Sequence, residues 1–281
     1  MIDGPRIVQF PHPGGEHVPK DDEMGWNHGL HRRKFLINSG TTVDRLGTST
    51  YEGLLTFWGE WEPPSTIRHR WKHRDQFPTV LHEPYWVDRE AIRNQQNTDP
   101  WVFGPRFLYS NCKQLTPAGN PSSLQKLTPG SVILFGSTFH GHFVLDTVFV
   151  VAEALTIYRP IDGIDIESEA FRACTIRSLA SLEPSKRTAS LTLFAGATPD
   201  HPINGMFSFA PSRRADDSGC RFPRPRLKLP GVINPLSWQS PRGAKVTETH
   251  EDVRATWLGA VEQVEAQGLE LGTGIQIPLQ K

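Results

Sequence analysis

Cysteine is scarce in this chain, and no two cysteines lie close together. Only Cys112, Cys174 and Cys220 occur among 281 residues, and an odd, dispersed set does not build a disulfide framework. The absence of any CxxC pair argues against a structural zinc knuckle. This use of cysteine predicts a protein of the reducing cytoplasm.

Long apolar runs and net charge are missing as well. No stretch of about 18 apolar residues occurs, so we expect no membrane-spanning helix, and the first residues lack the pattern of a secretory signal. Basic and acidic residues number 30 each, which gives a net charge of zero. Such a balance argues against indiscriminate duplex binding over the whole surface, while a local basic patch stays compatible with it.

Several catalytic signatures are also absent from the sequence. There is no Walker A loop, no GxGxxG after a strand, no HExxH and no GxSxG elbow. The zinc-deaminase signature is missing too. These absences argue against ATP-driven enzymes, Rossmann dehydrogenases, zincins and α/β-hydrolases.

Strand-like segments outnumber helix-like ones, and glycine and proline are frequent. Each of these two residues occurs 24 times, which indicates many turns and long loops. Runs rich in β-branched and aromatic residues predict strands over Arg6–Phe10, Lys34–Asn38, Gly53–Trp61, Val102–Tyr109, Ser131–Ser137, Phe143–Ala154, Ser190–Gly196 and Met206–Ala210. We expect an α+β fold in which a curled or barrel-like mixed sheet carries peripheral helices and long loops.

The clearest helix-like segment is Glu251–Gln267. Thr249 and Asp252 resemble a capping box before it, and Gly268 suits its C-terminal cap. Apolar residues at helical spacing predict a buried stripe formed by Val253, Trp257, Val261 and Val264. The shorter helix-like segments are Asp88–Gln96 and Glu167–Leu182.

The two halves of the chain differ in the residues that can carry chemistry. Nine of the 11 histidines and six of the eight tryptophans fall in the first 142 residues. We expect residues 1–160 to form a mainly β ligand-binding region and residues 161–281 an α+β extension packed on it as one compact unit. Within the extension, Arg213–Arg242 is rich in proline and arginine and predicts a long irregular segment, either a functional loop or a linker.

The segment around two tryptophans is the most informative part of the sequence. Alternate side chains of a strand share a face, so Trp58, Glu60 and Glu62 point one way and Trp61 the other. A ring beside a carboxylate suits a ligand that stacks and donates hydrogen bonds, such as a nucleobase. The same residues also fit plain packing, with both tryptophans in the core.

A hairpin pattern occupies Leu127–Glu153. Gly130 and Ser131 launch an apolar strand, a short polar loop follows, and a longer strand returns from Phe143. This pattern resembles the central hairpin of the PUA-like superfamily, which includes the EVE, YTH and ASCH domains, although Ser131 stands where aspartate is usual. The resemblance implies a curled sheet that binds nucleic acid and holds a modified base in an aromatic pocket.

Five side chains are candidates for acid, base or nucleophile. Glu16 and His17 follow a Gly-Gly turn and can form an acid–base pair, or belong to an ordinary turn. Glu60 lies beside the tryptophans, and Asp146 is a carboxylate inside an apolar strand, which needs a partner if it is buried. Cys112 is a nucleophile only if a neighbour lowers the pKa of its thiol; more often such a cysteine is simply buried.

Ligand-binding candidates include two clusters of positive charge. Arg32 and Arg33 follow Asn27 in one cluster, and Arg68 and Arg70 lie in the other. Arginine near aromatic rings suits phosphate contact and base stacking, although charge runs are often only solvated surface. The remaining candidates, beside Trp58 and Trp61, are polar groups for a base edge or an anion: Asn97, Tyr109, Gln114, Gln239 and Arg242.

These residues support three hypotheses. The first is a protein that recognises a nucleic acid or nucleotide, with a modified base as ligand and a role in DNA modification or phage defence. The second is an enzyme acting on a nucleotide or another small polar substrate, and the third is an interaction scaffold that uses the Arg213–Arg242 segment. His140 and His142 form a thin candidate for metal chelation; we predict no metal site, and the sequence does not identify a cofactor.

Overall fold

Strands dominate the part of the chain that the structure describes. The computed structural model describes residues 4–12, 14–20, 25–27, 31–72, 78–88, 95–166, 168–216, 220–234 and 247–281. In chain order its strands are β1 (Ile7–Pro11), β2 (Lys34–Val43), β3 (Ser49–Gly59), β4 (Ser65–Arg70), β5 (Val80–Trp86), β6 (Leu108–Tyr109), β7 (Val132–Phe139), β8 (His142–Tyr158), β9 (Leu191–Gly196), β10 (Ala210–Arg214), β11 (Arg226–Leu227), β12 (Glu270–Thr273) and β13 (Leu279–Gln280).

The strands form two sheets. The first runs β1-β7-β8-β9-β6, and β11 pairs with β8. The second runs β12-β10-β3-β2-β5-β13, with β4 paired to β5 and an added pairing between β12 and β2. This added pairing links β2, β3, β10 and β12 in a circuit, yet the two sheets do not make a clear barrel. The predicted α+β class is confirmed at this coarser level.

Strands from residues 161–281 enter both sheets. β9 pairs antiparallel with β8, and β10 pairs antiparallel with β3. Apolar side chains of both sheets fill two core clusters, one containing Trp61, Trp101 and Phe103 and the other containing Trp58 and Trp257. The predicted strand Gly53–Trp61 ends at Gly59, so Trp61 lies beyond it, and the two tryptophans lie in different clusters.

The predicted C-terminal helix is confirmed as His250–Ala266. Its Thr249 hydroxyl accepts a hydrogen bond from the Asp252 N–H at 3.0 Å, so the cap is formed. The predicted stripe is buried, and burying each such side chain stabilises the fold by roughly 1.5–3 kcal/mol. Gly268 follows with φ +71°, a conformation that favours glycine at a helix end.

The other predicted helices differ from expectation. In place of one helix over Glu167–Leu182, the chain forms a short α-turn, Glu169–Phe171, then π-helical Arg172–Ile176 and 3₁₀-helical Arg177–Ser181. A short helix, Pro184–Arg187, and a 3₁₀ turn, Ser123–Lys126, complete the set. Most of the predicted helix Asp88–Gln96 lies outside the described residues. No helix in the described parts of the chain combines the length and apolarity that crossing a membrane requires.

Several strand predictions need correction. Of Val102–Tyr109, only β6 is a strand, because Gly104 with φ +92° and the following proline interrupt the ladder. The strand predicted at Met206–Ala210 is shifted to β10, since Ile203 and Met206 form a tight turn first. β4 and β5 were missed because their histidines, arginines and proline hide the alternation.

The hairpin of β7 and β8 contains a tight turn and a bulge. Its two loop residues, His140 and Gly141, both have positive φ, as a type I′ turn requires. Phe135 pairs with Thr147 and Gly136 pairs with Leu145, which leaves Asp146 without a partner across the ladder. Asp146 is thus the extra residue of a β-bulge, a feature that re-aims a side chain.

Gly14 lies very close to Ser137 of the neighbouring strand β7. A Cβ at Gly14 would lie 2.3 Å from the Cβ of Ser137, whereas a Cβ at Gly15 would meet no atom within 4 Å. Arg224 donates hydrogen bonds both to the Ser137 hydroxyl and to the Gly14 carbonyl oxygen. The missing side chain at residue 14 therefore lets these two segments meet around Arg224.

Gly14→Ala should destabilise the protein, because the added methyl group collides with Ser137 and forces the backbone to move. We expect a loss of about 1–3 kcal/mol in the free energy of unfolding. Gly15→Ala is the matched control and should change stability by less than about 0.5 kcal/mol. Urea denaturation of both variants measures the difference; equal stabilities would contradict the close approach.

Candidate functional site

Ionisable side chains meet beside the termini of three strands. His12 follows β1, Arg33 precedes β2 and Glu60 follows β3, so each lies one residue beyond a strand. The bulge in β8 adds Asp146, and the segment 220–234 adds Arg224. All five side chains are buried. Burial of so many charges requires that they be paired.

Ion pairs and hydrogen bonds connect these side chains in one continuous chain, in which burial lowers the pKa of His12. Arg33 donates from Nε to Asp146 Oδ2 at 2.9 Å, and its Nη1 lies 3.2 Å from Glu60 Oε2. Glu60 Oε2 also lies 2.7 Å from His12 Nδ1. At the other end, Arg224 Nη1 lies 3.6 Å from Asp146 Oδ1. Arg33 is the centre of this network because it joins the carboxylates of β3 and β8.

Glu62 and His31 extend the network toward solvent. His31 Nδ1 lies 3.2 Å from Glu62 Oε1 and 3.3 Å from Glu60 Oε1. The side chain of His31 is 28% exposed, whereas those of Glu60 and Glu62 are 2% and 0% exposed. Within the described residues, these three form the group of potential metal ligands that lie close together. We call His12, His31, Arg33, Glu60, Glu62, Asp146 and Arg224 the charged centre.

The environment shifts several pKa values in the charged centre. Burial opposes the charge of His31, but the neighbouring carboxylates of Glu60 and Glu62 outweigh it and raise the pKa of His31 to about 10. Burial also opposes the charge of Glu60, yet Arg33 and His12 hold the pKa of that carboxyl well below its usual value. For Glu62, burial dominates and raises the pKa. His31 is therefore an imidazolium at neutral pH.

A cavity of about 170 Å³ borders the charged centre at Arg224. Its lining residues are Glu16, Trp58, Phe139, His140, Val144, Pro223, Arg224 and Arg226. The Arg224 guanidinium carbon lies 5.3 Å from the centroid of the Trp58 ring and 5.4 Å from that of Phe139. These two cation–π contacts orient Arg224. We call this space the Trp58 cavity.

A larger groove of about 560 Å³ lies elsewhere, among residues such as Trp101, Leu155 and Ile164. Its lining is mostly apolar, and its one arginine, Arg106, pairs with Glu153. Because it lacks histidine and a cluster of opposed charges, it offers little for acid–base chemistry or for recognition of a charged ligand. The Trp58 cavity is therefore the better candidate site.

Two of the five predicted catalytic residues, Glu60 and Asp146, lie in the charged centre. Glu16 lines the Trp58 cavity, but its carboxylate accepts hydrogen bonds from Thr79 and Val80 and so fixes the start of β5. Burial lowers the pKa of His17 to about 4. Burial raises the pKa of the Cys112 thiol well above its usual value, which argues against a nucleophile.

The predicted ligand-binding residues are dispersed. Trp58 is 3% exposed, lines the Trp58 cavity and donates its indole N–H to the Phe222 carbonyl oxygen. Trp61 is fully buried, and its indole N–H donates to the Pro64 carbonyl oxygen. Trp61 thus has no face to offer a ligand. Arg33 pairs inside the protein instead of reaching a phosphate. Arg32, Arg68 and Arg70 are exposed at the surface.

The polar candidates mainly form hydrogen bonds inside the protein. Gln114 exchanges hydrogen bonds with the backbone of Thr192, and the Tyr109 hydroxyl donates to the Cys112 carbonyl oxygen. Asn97 donates to the Asn111 side chain. Asn27 is buried, and its backbone N–H donates to the Glu62 carbonyl oxygen. Gln239 and Arg242 lie outside the described residues.

Sequence reasoning missed several members of the charged centre as site residues. Glu62 was signalled by its alternation with Glu60, and His31 by its position in a basic cluster. His12 follows a short apolar strand, a position where site residues often lie. Arg224 carries no local signal. It lies 78 residues after Asp146 in the sequence, and only the tertiary fold brings the two side chains into contact.

Comparisons with known proteins yield no family for this chain. No protein-family description matches it, and no curated protein or solved structure does so either. The functional argument therefore rests on the residues of the site.

Replacement of His31 should affect stability in a pH-dependent way. The pKa of His31 rises from 6.5 to about 10 on folding, so its stabilising contribution is fully present below pH 6.5 and is lost as the pH approaches 10. In chelator-treated protein we expect His31→Gln to cost on the order of 2–4 kcal/mol at pH 6 and far less at pH 10. Urea denaturation at both pH values measures this.

His201→Gln, which removes an exposed imidazole, is the matched control for that experiment. A cost of His31→Gln that is identical at pH 6 and pH 10 would show that the imidazolium of His31 is not stabilised by the two carboxylates.

Proposed function

We propose that this protein binds a nucleobase-containing ligand, either a nucleotide or a base within a nucleic acid, in the Trp58 cavity. The observation that carries the proposal is the lining of that cavity, which combines two aromatic rings with two arginines. Aromatic faces stack on bases, and guanidinium groups pair with phosphate. The cavity is smaller than the roughly 300–1,000 Å³ of typical drug-sized pockets, so one ring system is the natural occupant.

Arg226 is the group best suited to a phosphate. It is exposed at the cavity, and its backbone is fixed by hydrogen bonds with the Gln267 side chain. Arg224, by contrast, is already committed to Ser137, Gly14 and Asp146. Arg224 therefore forms a fixed positive wall, while the Arg226 side chain is placed to meet an anion from solvent.

The hairpin of β7 and β8 supports a PUA-like reading of this part of the fold, which we also propose. The hairpin supplies Phe139 and His140 to the cavity and Asp146 to the charged centre. A modified base is the ligand that such a reading favours, and a role in DNA modification or phage defence is the corresponding biological proposal. Exposed Arg68 and Arg70 on β4 are candidates for contacts with the backbone of a longer strand.

Arg226→Gln should weaken binding of nucleotides, because it removes a positive charge at the cavity. Lys228→Gln is the matched control, since it removes an exposed charge two residues away that does not line the cavity. We expect a loss of about three- to tenfold in affinity for Arg226→Gln and almost none for Lys228→Gln. Calorimetric titration with mononucleotides and short oligonucleotides, with unmodified and modified bases, provides the measurement.

Phe139→Leu tests the stacking contribution in the same titrations and should weaken binding of the base more than that of inorganic phosphate. The proposal fails if the wild-type chain binds none of these ligands at millimolar concentration. It fails equally if the two charge variants lose the same affinity, since binding would then reflect only general surface charge.

An enzyme acting on a nucleotide or another small polar substrate is the second candidate. It is favoured by the meeting of two histidines with three carboxylates in the charged centre, a set of groups that can transfer protons. In that case Glu60→Gln should lower turnover of the bound ligand by about 100-fold or more while binding in the cavity persists. Chromatography of nucleotides incubated with the wild type and the variant distinguishes the two functions; unchanged ligand in both would exclude the enzyme.

A further inference from the structure

The geometry of His31, Glu60 and Glu62 points to a binding site for a divalent transition-metal ion, which we propose as a second site, independent of the nucleotide proposal. One imidazole nitrogen and one oxygen from each carboxylate lie within 4.8 Å of one another. Metal–ligand bonds of about 2.0–2.2 Å place neighbouring donors roughly 3.0–3.5 Å apart. The distances of 3.2 and 3.3 Å from His31 Nδ1 to the two carboxylates fall within that range.

Unsatisfied oxygen atoms are the second observation. Glu60 Oε1 and Glu62 Oε2 are buried and form no hydrogen bond within the described chain. Glu60 Oε1 lies 3.3 Å from His31 Nδ1, which also lies 3.2 Å from Glu62 Oε1. That nitrogen carries at most one hydrogen, so it cannot donate fully to both glutamates. A metal ion has no such limit and can bind Glu60 Oε1 and Glu62 Oε1 together with the imidazole.

The surrounding residues hold the ligands in the orientation that a metal site needs. Glu60 Oε2 is occupied by His12 and Arg33, which turns Oε1 toward His31. The Glu62 backbone N–H donates to the Thr98 hydroxyl at 3.1 Å, which fixes the second ligand. Such outer contacts orient the ligands of known metal sites and strengthen them. His12 and Arg33 are therefore positioning residues here, with no metal contact of their own.

The side chain of His31 is partly exposed, whereas those of the two glutamates are buried. An ion from solvent therefore reaches the site past His31. Three protein ligands leave a fourth position for water, as in open zinc sites. The set contains nitrogen and carboxylate oxygen but no thiolate. Such a set suits Zn²⁺, Co²⁺ or Mn²⁺ better than soft Cu(I), and its imidazole disfavours Mg²⁺ and Ca²⁺, which prefer oxygen.

The test is a titration of the chelator-stripped full chain with Co²⁺, followed by its visible absorption, and then competition with Zn²⁺. We expect one ion per chain, displaced by Zn²⁺. His31→Gln and Glu62→Gln should each lower the affinity by tenfold or more, because each removes one ligand. Glu83→Gln, which removes an exposed carboxylate paired with Arg68, is the control and should bind as the wild type does.

His142→Gln tests the other histidine pair, His140 and His142, as an alternative source of binding. Loss of Co²⁺ in His142→Gln with retention in His31→Gln would overturn the proposal, as would the absence of a Co²⁺ complex at millimolar concentration. If Glu62→Gln does not fold, NMR of the wild type replaces it. Zn²⁺ should then shift the ring nitrogen resonances of His31, and a titration that leaves them unchanged rejects the site.

Discussion

The structure depends on one buried cation, the guanidinium of Arg33. It bridges Glu60, at the end of a strand in the second sheet, and Asp146, in the bulge of a strand in the first. Both carboxylates are shielded from water, so each needs a positive partner inside the protein. Breaking a buried pair of this kind costs about 3–5 kcal/mol, because the remaining charge stays buried and unpaired. The same contact thus connects the two sheets and lies within the charged centre.

The sequence predicts elements whose signals are local. The helix His250–Ala266, with its cap and stripe, and the hairpin of β7 and β8 were confirmed because capping, periodicity and turn chemistry act over a few residues. The π-helical break at Arg172–Ile176 was missed because its residues have ordinary helical propensity and only tertiary packing changes the winding. β4 escaped notice because its exposed arginines and histidines have no apolar alternation.

The site was predictable only in part for the same reason. Asp146 was identified because a carboxylate in an apolar strand needs a partner, and Arg33 and Arg224 are those partners. Glu60 and Glu62 were placed on one face by alternation. No pattern in the sequence, however, pairs Glu60 with His12 across 48 residues. Such pairings are decided by sheet topology, which short-range rules do not specify.

Arg224 has a consequence for the order in which the molecule assembles. The charged centre draws on residues 12, 31, 33, 60, 62, 146 and 224, so its last cation emerges late during synthesis. Until then Asp146 lacks one of its two arginine partners, and Trp58 and Phe139 lack their cation–π contacts with Arg224. Completion of the site is therefore a long-range closure, which is entropically slow compared with hairpin formation. The charged centre is therefore complete only after the segments from residue 12 to residue 224 have folded together.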